Sequence, residues 1–541
     1  MYQERHSTKQ MITILDYGAG NVRSVINAIE KIGGTVRVAE DPGAIRHAEK
    51  LVFPGVGNFG RMMEVLREKG YVEPLLDYLR EDRPFLGICL GLQALFESSE
   101  EAPGIQGLGF LKGKVKRFDI DLSVPHIGWN GIRTHRQSSL FRGMTGKEKF
   151  YFVHSYHVVP EAPGDILAST DYGMRFASAA GRGNIAATQF HPEKSGLAGL
   201  RILGNFLHPD TIAPMQVFRE KETRVAKRII ACLDVRADDS GRLVVTKGNQ
   251  YDVREENGAV RNMGDPAEMA RRYYEDGADE ITFLNITAYR EYPIGDLPML
   301  DVLQRTSAHV FVPLTIGGGI RAYTDRNGKQ FSALEVADAY FRAGADKISI
   351  GGDAVEIVRQ YLNSGIRTGT SAIEQISAVY GNQAVVISID PRRVYVGEGE
   401  APTGVHVIDT EIPDPEGRRR CWFQCTTRGG REGSDVDAVT LARACEELGA
   451  GEILLNSIDR DGTGAGFDTE LIRAVSDAVA IPVIASSGAG NPDHFADVFM
   501  KTGAEAALGA GIFHRGETSV EAVKQRLEAV VEIRRTSARP V

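Results

Sequence analysis

The sequence has 541 residues; at roughly 100–200 residues per domain, and about 250 for a barrel, it predicts two large domains. Hydrophobic residues make up 42% and charged residues 25%, and the net charge is −9, which excludes a general nucleic-acid-binding surface. No apolar run reaches the roughly 18 residues of a membrane span, so no membrane association is expected. Cys89, Cys232, Cys421, Cys425 and Cys445 are too few and too dispersed for a disulfide framework and predict a reducing compartment. Cys421 and Cys425, with no second pair, do not make a zinc site. The first ten residues, MYQERHSTKQ, are polar and lack the apolar core of a secretory signal. A cytoplasmic location is expected, or a plastid if a transit peptide has been removed.

In chain order, residues 1–10 form an extension and the first domain spans 11–207. It opens with the strand MITILDYG, a helix from about 21 to 32, a strand at 35–39 and the strand LVFPG at 51–55. Short apolar runs alternating with amphipathic helices predict an α/β domain with a largely parallel sheet. The polar stretch HPDTIAPMQVFREKET at 208–223 reads as a linker. The second domain, 224–541, repeats itself. GADEITFLNIT (277–287) echoes GAGEILLNSID (449–459), VPLTIGGGI (312–320) echoes IPVIASSGA (481–489), and AGADKISIGG (343–352) echoes TGAEAALGAG (502–511). The offset is roughly 160–170 residues, half of the domain, so four βα units occur twice, and eight such units close as a (β/α)8 barrel.

Two patterns in the first domain carry chemistry. In FLGICLGLQALF (85–96) a strand runs into Gly-Ile-Cys89-Leu-Gly and then a helix, a nucleophile elbow with cysteine at a helix N-terminus, where the dipole favours thiolate. In TQFHPEKS (188–195) a strand ends at His191, followed by Glu193, a base with a carboxylate to orient it. The Gly-rich turn after LVFPG can present backbone N–H groups to an oxyanion. Together these stretches resemble the class I, triad-type glutamine amidotransferases over residues 11–207. The resemblance implies Cys89 as nucleophile, His191 as general base and Glu193 as its orienter. It places Gly55, Val56, Gly57 and Leu90 around the oxyanion, and Gln93 at the bound glutamine. The HSYH stretch at 154–157 resembles the synthase subtype, and His154 and His157 are read as structural.

In the second domain two repeat-related strands end in Asp234 and Asp390. Barrel enzymes work at the C-terminal ends of their strands, and a carboxylate pair there suits acid–base chemistry. Glycine-rich strand ends recur at Gly317–Gly319, Gly351-Gly352, 487–490 and 509–511. Two such sets predict a substrate with a phosphate at each end. RIIACLDV, LTIGGGIR, GADKISI, SIDRDGT and ALGAGIFH resemble the cyclase barrel of the imidazole glycerol phosphate synthases of histidine biosynthesis, here in the single-chain form of fungi and plants. The resemblance implies glutamine and a bisphosphate ribotide as substrates, no cofactor and no metal. It implies Asp234 and Asp390 as the acid–base pair. Lys247 and Asp461-Gly462-Thr463 would close over the substrate, with phosphate sites at Gly318, Gly319, Gly351, Gly352, Gly488, Gly490, Ala510 and Gly511. Asn285, Ser486-Ser487 and a long 391–435 segment depart from the separate-subunit barrels.

Along RIIACLD, residues 228, 230, 232 and 234 share a face, so Arg228 lies at the opposite end of the barrel from Asp234, roughly 20 Å away at ~3.3 Å per residue. Glu280, Lys347 and Glu452 begin three other strands. These four charges read either as a salt-bridged plug or, by the family resemblance, as a gate for ammonia, with Lys194 and Asp346 as an interdomain ion pair beside it. Two other glutaminase–barrel readings are weaker. A pyridoxal-phosphate-synthase-like enzyme needs a Schiff-base lysine, and Lys347 is at the wrong end; the sister isomerase barrel needs no ammonia. A non-catalytic binding protein would have to retain all five catalytic residues by chance. Covalent fusion predicts a monomer with no obligate protein partner.

Overall fold

The computed structural model describes residues 11–18, 20–209, 217–218, 222–246, 262–286 and 294–535. Lys247, most of the linker and the first ten residues lie outside them. The chain divides into two compact units, Met1–Asp121 with Asn130–Arg224 and Ser307–Phe311, and Leu122–Trp129 with Val225–Thr306 and Val312–Val541. No helix among the described residues is long and apolar enough to cross a membrane.

The first unit is built on an 11-stranded mixed sheet. Strands Thr35–Val38, Met11–Ile14, Lys50–Gly55, Phe85–Cys89 and Ile185–Thr188 run parallel in that order. The central ones are apolar without alternation because helices cover both faces. From Ile185–Thr188 outward the sheet turns antiparallel through Met174–Arg182, Tyr156–Pro160 and Gly113–Arg117. This half departs from the largely parallel expectation: its strands are joined by hairpins, loops and short 3-10 turns rather than by crossover α-helices. Phe53, Phe59, Met62, Leu66, Leu75, Phe85 and Phe96 fill one buried core.

The second unit closes eight parallel strands into a barrel: β1 (Arg228–Ala237), β2 (Glu280–Asn285), β3 (Leu314–Gly317), β4 (Lys347–Ile350), β5 (Val385–Ile389), β6 (Glu452–Asn456), β7 (Val483–Ser486) and β8 (Ala506–Gly509). Arg228 pairs with Ala506 to shut the ring. Inside, Ile230, Cys232, Val386, Leu454, Ile484, Ala506 and Leu508 make one apolar wall. Thr282, Thr315 and Ser349, buried on β2–β4, face the other side.

The internal repeat has a physical basis at the N-terminal rim. Before β2, β4 and β8, an acidic residue joins the preceding odd-numbered strand through both backbone and side chain. The Asp279 N–H donates to the Ile229 carbonyl, and the Ile229 N–H donates to Asp279 Oδ2, both at 2.9 Å. Asp346 does the same with Leu314 (2.8 and 2.8 Å), and Glu505 with Val483 (3.1 and 2.9 Å). Before β6 the residue is Gly451, which keeps only the backbone bond, to Val385 at 2.9 Å. A Cβ there would lie 2.2 Å from the Asn382 carbonyl oxygen. Gly451→Ala is therefore expected to cost about 1–3 kcal/mol by overpacking against backbone. Calorimetry should find the barrel transition several degrees lower; an unchanged Tm would mean that the 382–384 turn yields freely.

Candidate active sites

In the first unit, the strand Phe85–Cys89 ends in a turn that leaves Cys89 at φ +53° and ψ −101°. Such a conformation costs a non-glycine residue on the order of 1–3 kcal/mol and persists only where the surroundings enforce it. The flanking glycines enforce it by allowing close approach. A Cβ on Gly91 would lie 2.1 Å from the Phe53 carbonyl oxygen, and one on Gly87 would lie 2.7 Å from that of Gly91. The helix after Cys89 is only Leu90–Gln93, so the dipole expected there is reduced to the first turn's free N–H groups.

His191 lies beyond the end of the strand Ile185–Thr188 and caps the short turn Pro192–Lys194. Its backbone is gripped from both sides: its N–H donates to Tyr151 O (2.9 Å) and its carbonyl accepts from Ser195 Oγ (2.6 Å). Nδ1 lies 2.7 Å from Glu193 Oε1. Burial opposes a charge on the ring, but the Glu193 carboxylate and the Cys89 sulfur outweigh it and hold the His191 pKa well above the ordinary value. The described residues bring Cys89, His191 and Glu193 together.

Three neighbours were not singled out from the sequence. Gln189, fully buried, donates from Nε2 to Cys89 Sγ at 3.4 Å and accepts from Gln93 Nε2 at 3.3 Å. Gln93 also donates to Tyr156 O at 3.2 Å. Strand-like alternation from His191 back to Gln189 was the signal for it. The Tyr17 hydroxyl donates to Val56 O at 2.5 Å, beside the Gly55–Gly57 turn, where Gly57 takes φ +135°. Glu101 accepts from the Phe59 N–H at 2.8 Å, just after that turn, and burial pushes its carboxyl up to about 7. No periodicity in SSEEAP marks which glutamate is buried.

In the barrel, Asp234 on β1 and Asp390 after β5 stand on opposite walls, because β1 and β5 are four strands apart in a ring of eight. Burial raises the Asp390 pKa; a hydrogen bond from Asn456 Nδ2 (2.7 Å) opposes the rise and nearby Asp461 adds to it. The Gly-rich turns follow β3 and β4 on one side and β7 and β8 on the other, also diametrically opposed. Gly318, Gly319 and Gly488 take φ of +92°, +79° and +95°. Ser487 takes φ +70°, a left-handed position that ordinarily favours glycine. Gly352 caps the helix Asp353–Ser364 and Ala510 caps Gly511–His514. The Asp461-Gly462-Thr463 loop lies against the β7 turn, the Gly466 N–H donating to Gly488 O at 2.8 Å. A Cβ on Gly490 would lie 2.1 Å from Gly464 O.

At the opposite end, Arg228, Glu280, Lys347 and Glu452 form a closed ring with side-chain exposures of 0–1%. Arg228 Nη1 lies 3.0 Å from Glu280 Oε2 and Nη2 pairs with Glu452 Oε1. Lys347 Nζ lies 2.7 Å from Glu280 Oε1 and 2.6 Å from Glu452 Oε2. Thr315 Oγ1 donates to Glu280 at 2.6 Å. Burial alone would raise the Glu452 carboxyl, but Arg228 and Lys347 pull it below its usual range. Lys194 is buried in the first unit, and Asp346 caps β3 in the second. Among the described residues no group of three His, Cys, Asp or Glu gathers as metal ligands.

A strained, base-paired cysteine in one unit and a phosphate-turned barrel with opposed carboxylates in the other define a glutamine amidotransferase joined to a barrel enzyme. Residues 13–209 match the family described as glutamine amidotransferase class-I, and residues 228–519 match the family described as histidine biosynthesis protein. The imidazole glycerol phosphate synthase hisHF of Arabidopsis thaliana, named as chloroplastic, is 54% identical over 535 residues, covering 98% of this chain and 90% of its own. The synthases of the same name from Emericella nidulans and Schizosaccharomyces pombe are 52% and 51% identical, each covering 96% of this chain and 97% and 98% of their own. The chain belongs to the imidazole glycerol phosphate synthase hisHF family, and is an amidotransferase and cyclase of histidine biosynthesis in one polypeptide.

The wall behind His191 sets a pH dependence. His154 packs among Phe118, Phe152 and Phe176, with ring centroids 5.2–5.7 Å away. Burial pushes its pKa down to about 3, and His157 and His191 add to the fall while a bond to Tyr156 O opposes it. Below the unfolded value of about 6.5 the unfolded chain binds a proton that the folded chain refuses, so this stabilisation is lost as pH falls from about 6.5 towards 3. His191, shifted the other way, contributes below that value and loses its contribution as pH rises through its raised pKa. His154→Phe is expected to flatten the decline of Tm between pH 6.5 and 4. An unaltered slope would place the acid sensitivity elsewhere.

Proposed function

We propose that the chain hydrolyses glutamine at Cys89 and uses the ammonia at Asp234 and Asp390, converting phosphoribulosyl-formimino-aminoimidazole carboxamide ribonucleotide into imidazole glycerol phosphate and aminoimidazole carboxamide ribonucleotide. The observation that carries this reading is the strained Cys89 beside His191, whose Nδ1 is held 2.7 Å from Glu193. The Cys89 thiolate attacks the carboxamide carbon of glutamine. His191 gives a proton to the leaving nitrogen, so that ammonia departs and a γ-glutamyl thioester remains. His191 then takes a proton from water, which attacks the thioester and releases glutamate. Gly55, Val56, Gly57 and Leu90 surround the oxyanion, and Gln93 seats the substrate. Glu101, a carboxylate held in a poorly solvated place next to that turn, is suited to the α-ammonium of glutamine.

The ammonia crosses the barrel from the charged ring of Arg228, Glu280, Lys347 and Glu452 to the far end, past Thr282, Thr315 and Ser349. The ring serves as the gate. Asp390, with its raised pKa, serves as the acid and Asp234 as the base. One phosphate sits on the turns at Gly318-Gly319 and Gly351-Gly352, the other on Gly488, Gly490, Ala510 and Gly511. Lys247 and Asp461-Gly462-Thr463 cover the substrate. In this reading the amidotransferase spans 11–207, a linker 208–223 and the cyclase 224–541, and the enzyme works as a monomer without an obligate partner. Its five free cysteines suit a reducing compartment: the cytoplasm, or a plastid as in the relative named chloroplastic.

Cys89→Ala is expected to abolish glutamate release and glutamine-dependent turnover, while ammonium salt restores product formation from the ribotide. Continued glutamate release would remove Cys89 from the mechanism. A failure of ammonium to rescue a folded variant would assign the barrel a different reaction.

A further inference from the structure

Between β5 and β6 the chain forms a small antiparallel sheet of Pro391–Tyr395, Val407–Asp409, Arg420–Thr427 and Glu432–Asp437. Arg393 lies on its first strand, with the side chain 5% exposed and the guanidinium 5.0 Å above the Phe423 ring. Nη2 meets both carboxylate oxygens of Asp468 (2.9 and 2.8 Å), and Nη1 meets Glu470 Oε2 at 2.6 Å and the Thr410 hydroxyl. The Arg393 main-chain N–H donates to Asp459 Oδ2 at 2.7 Å. Asp459 and Asp468 bracket the loop that contains Asp461-Gly462-Thr463, so this one residue holds both ends of the loop. The same small sheet grips Asp390: the Thr426 N–H and hydroxyl both donate to the Asp390 carbonyl, at 3.1 and 2.6 Å.

We propose that Arg393 is a positioning residue for the barrel reaction, fixing the 459–468 loop relative to Asp390 so that the loop is already set when the ribotide arrives. The inference rests on the assignment of Asp390 to acid–base chemistry and of 461–463 to the substrate cover. Arginine suits the task because its planar fork satisfies two carboxylates at once, whereas lysine offers a single point charge. A cluster that merely held the small sheet together would matter to folding and not to substrate affinity.

The test uses the full chain, with ammonium salt as nitrogen donor and the bisphosphate ribotide as substrate. Removing Arg393 alone strands the buried Asp468 and half-buried Glu470 carboxylates, so the variant neutralises all three charges: Arg393→Met, Asp468→Asn, Glu470→Gln. It is expected to raise KM for the ribotide by about tenfold or more with a smaller change in kcat. Glutamine hydrolysis without ribotide should be unchanged. Arg393→Lys is expected to fall between the two. Asp459→Ala removes an exposed carboxylate, leaves the buried cluster intact and should raise KM severalfold; it decides the matter if the triple variant does not fold. Wild-type KM and kcat in folded Asp459→Ala and in the folded triple would overturn the positioning role. Asp390→Asn separates the two layers: a dead Asp390→Asn beside normal Arg393 variants overturns only this inference, whereas an active Asp390→Asn overturns the assignment beneath it.

Discussion

Four charges with almost no exposed surface at one end of the barrel constrain the second unit more than any other feature. Arg228 and Lys347 each touch both Glu280 and Glu452, so every charge has two opposite neighbours and the ring is neutral. Removing one member from such an arrangement costs about 3–5 kcal/mol, because the others stay buried without compensation. The ring can exist only if β1, β2, β4 and β6 keep their register to within one residue, since a slip would turn each charge outward. The rim capping supplies that register. Asp279 and Asp346 cap the neighbouring strand, and the next residues, Glu280 and Lys347, point inward. Gly451 stands in the same relation to Glu452, where a side chain would meet the Asn382 carbonyl.

With charge concentrated at the N-terminal rim, the C-terminal rim is left for chemistry. The β1–β5 and β3/β4–β7/β8 relations place the carboxylates and the glycine turns on opposed walls, as suits a long substrate with two anionic ends. The first unit is organised around a different cost. Cys89 is held in an unfavourable conformation by close backbone packing at Gly87 and Gly91, and His191 is clamped by Tyr151 and Ser195. Each clamp is made of backbone and small side chains, so the reactive groups themselves remain available.

Much of this was legible in the sequence, for physical reasons. The eightfold strand count followed from the repeat. The shared face of 228, 230, 232 and 234 followed from strand alternation, and Ile230 and Cys232 do lie in the barrel interior. The glycine pattern around Cys89 announced a sharp turn, but not that the positive φ falls on the cysteine itself, which depends on how Leu90 and Gly91 pack under Phe53 and Gly55. The antiparallel half of the first sheet was missed because strands such as Met174–Arg182 do not alternate between buried and exposed residues and so carry a weak period. Glu101, Tyr17 and Arg393 were missed because burial and long-range partners decide their roles. Arg393 meets residues far along the chain, at 459, 468 and 470, and nothing local marks it.

In the proposed reaction, nitrogen released at Cys89 reaches the barrel chemistry without mixing with solvent. This transfer is tested most directly with amide-15N glutamine, the ribotide and a large excess of unlabelled ammonium, followed by mass spectrometry of the imidazole product. Direct transfer predicts a product that keeps the glutamine label nearly undiluted. A label diluted to the ratio of the bulk ammonia pool would contradict direct transfer and reduce the chain to two enzymes that share a polypeptide.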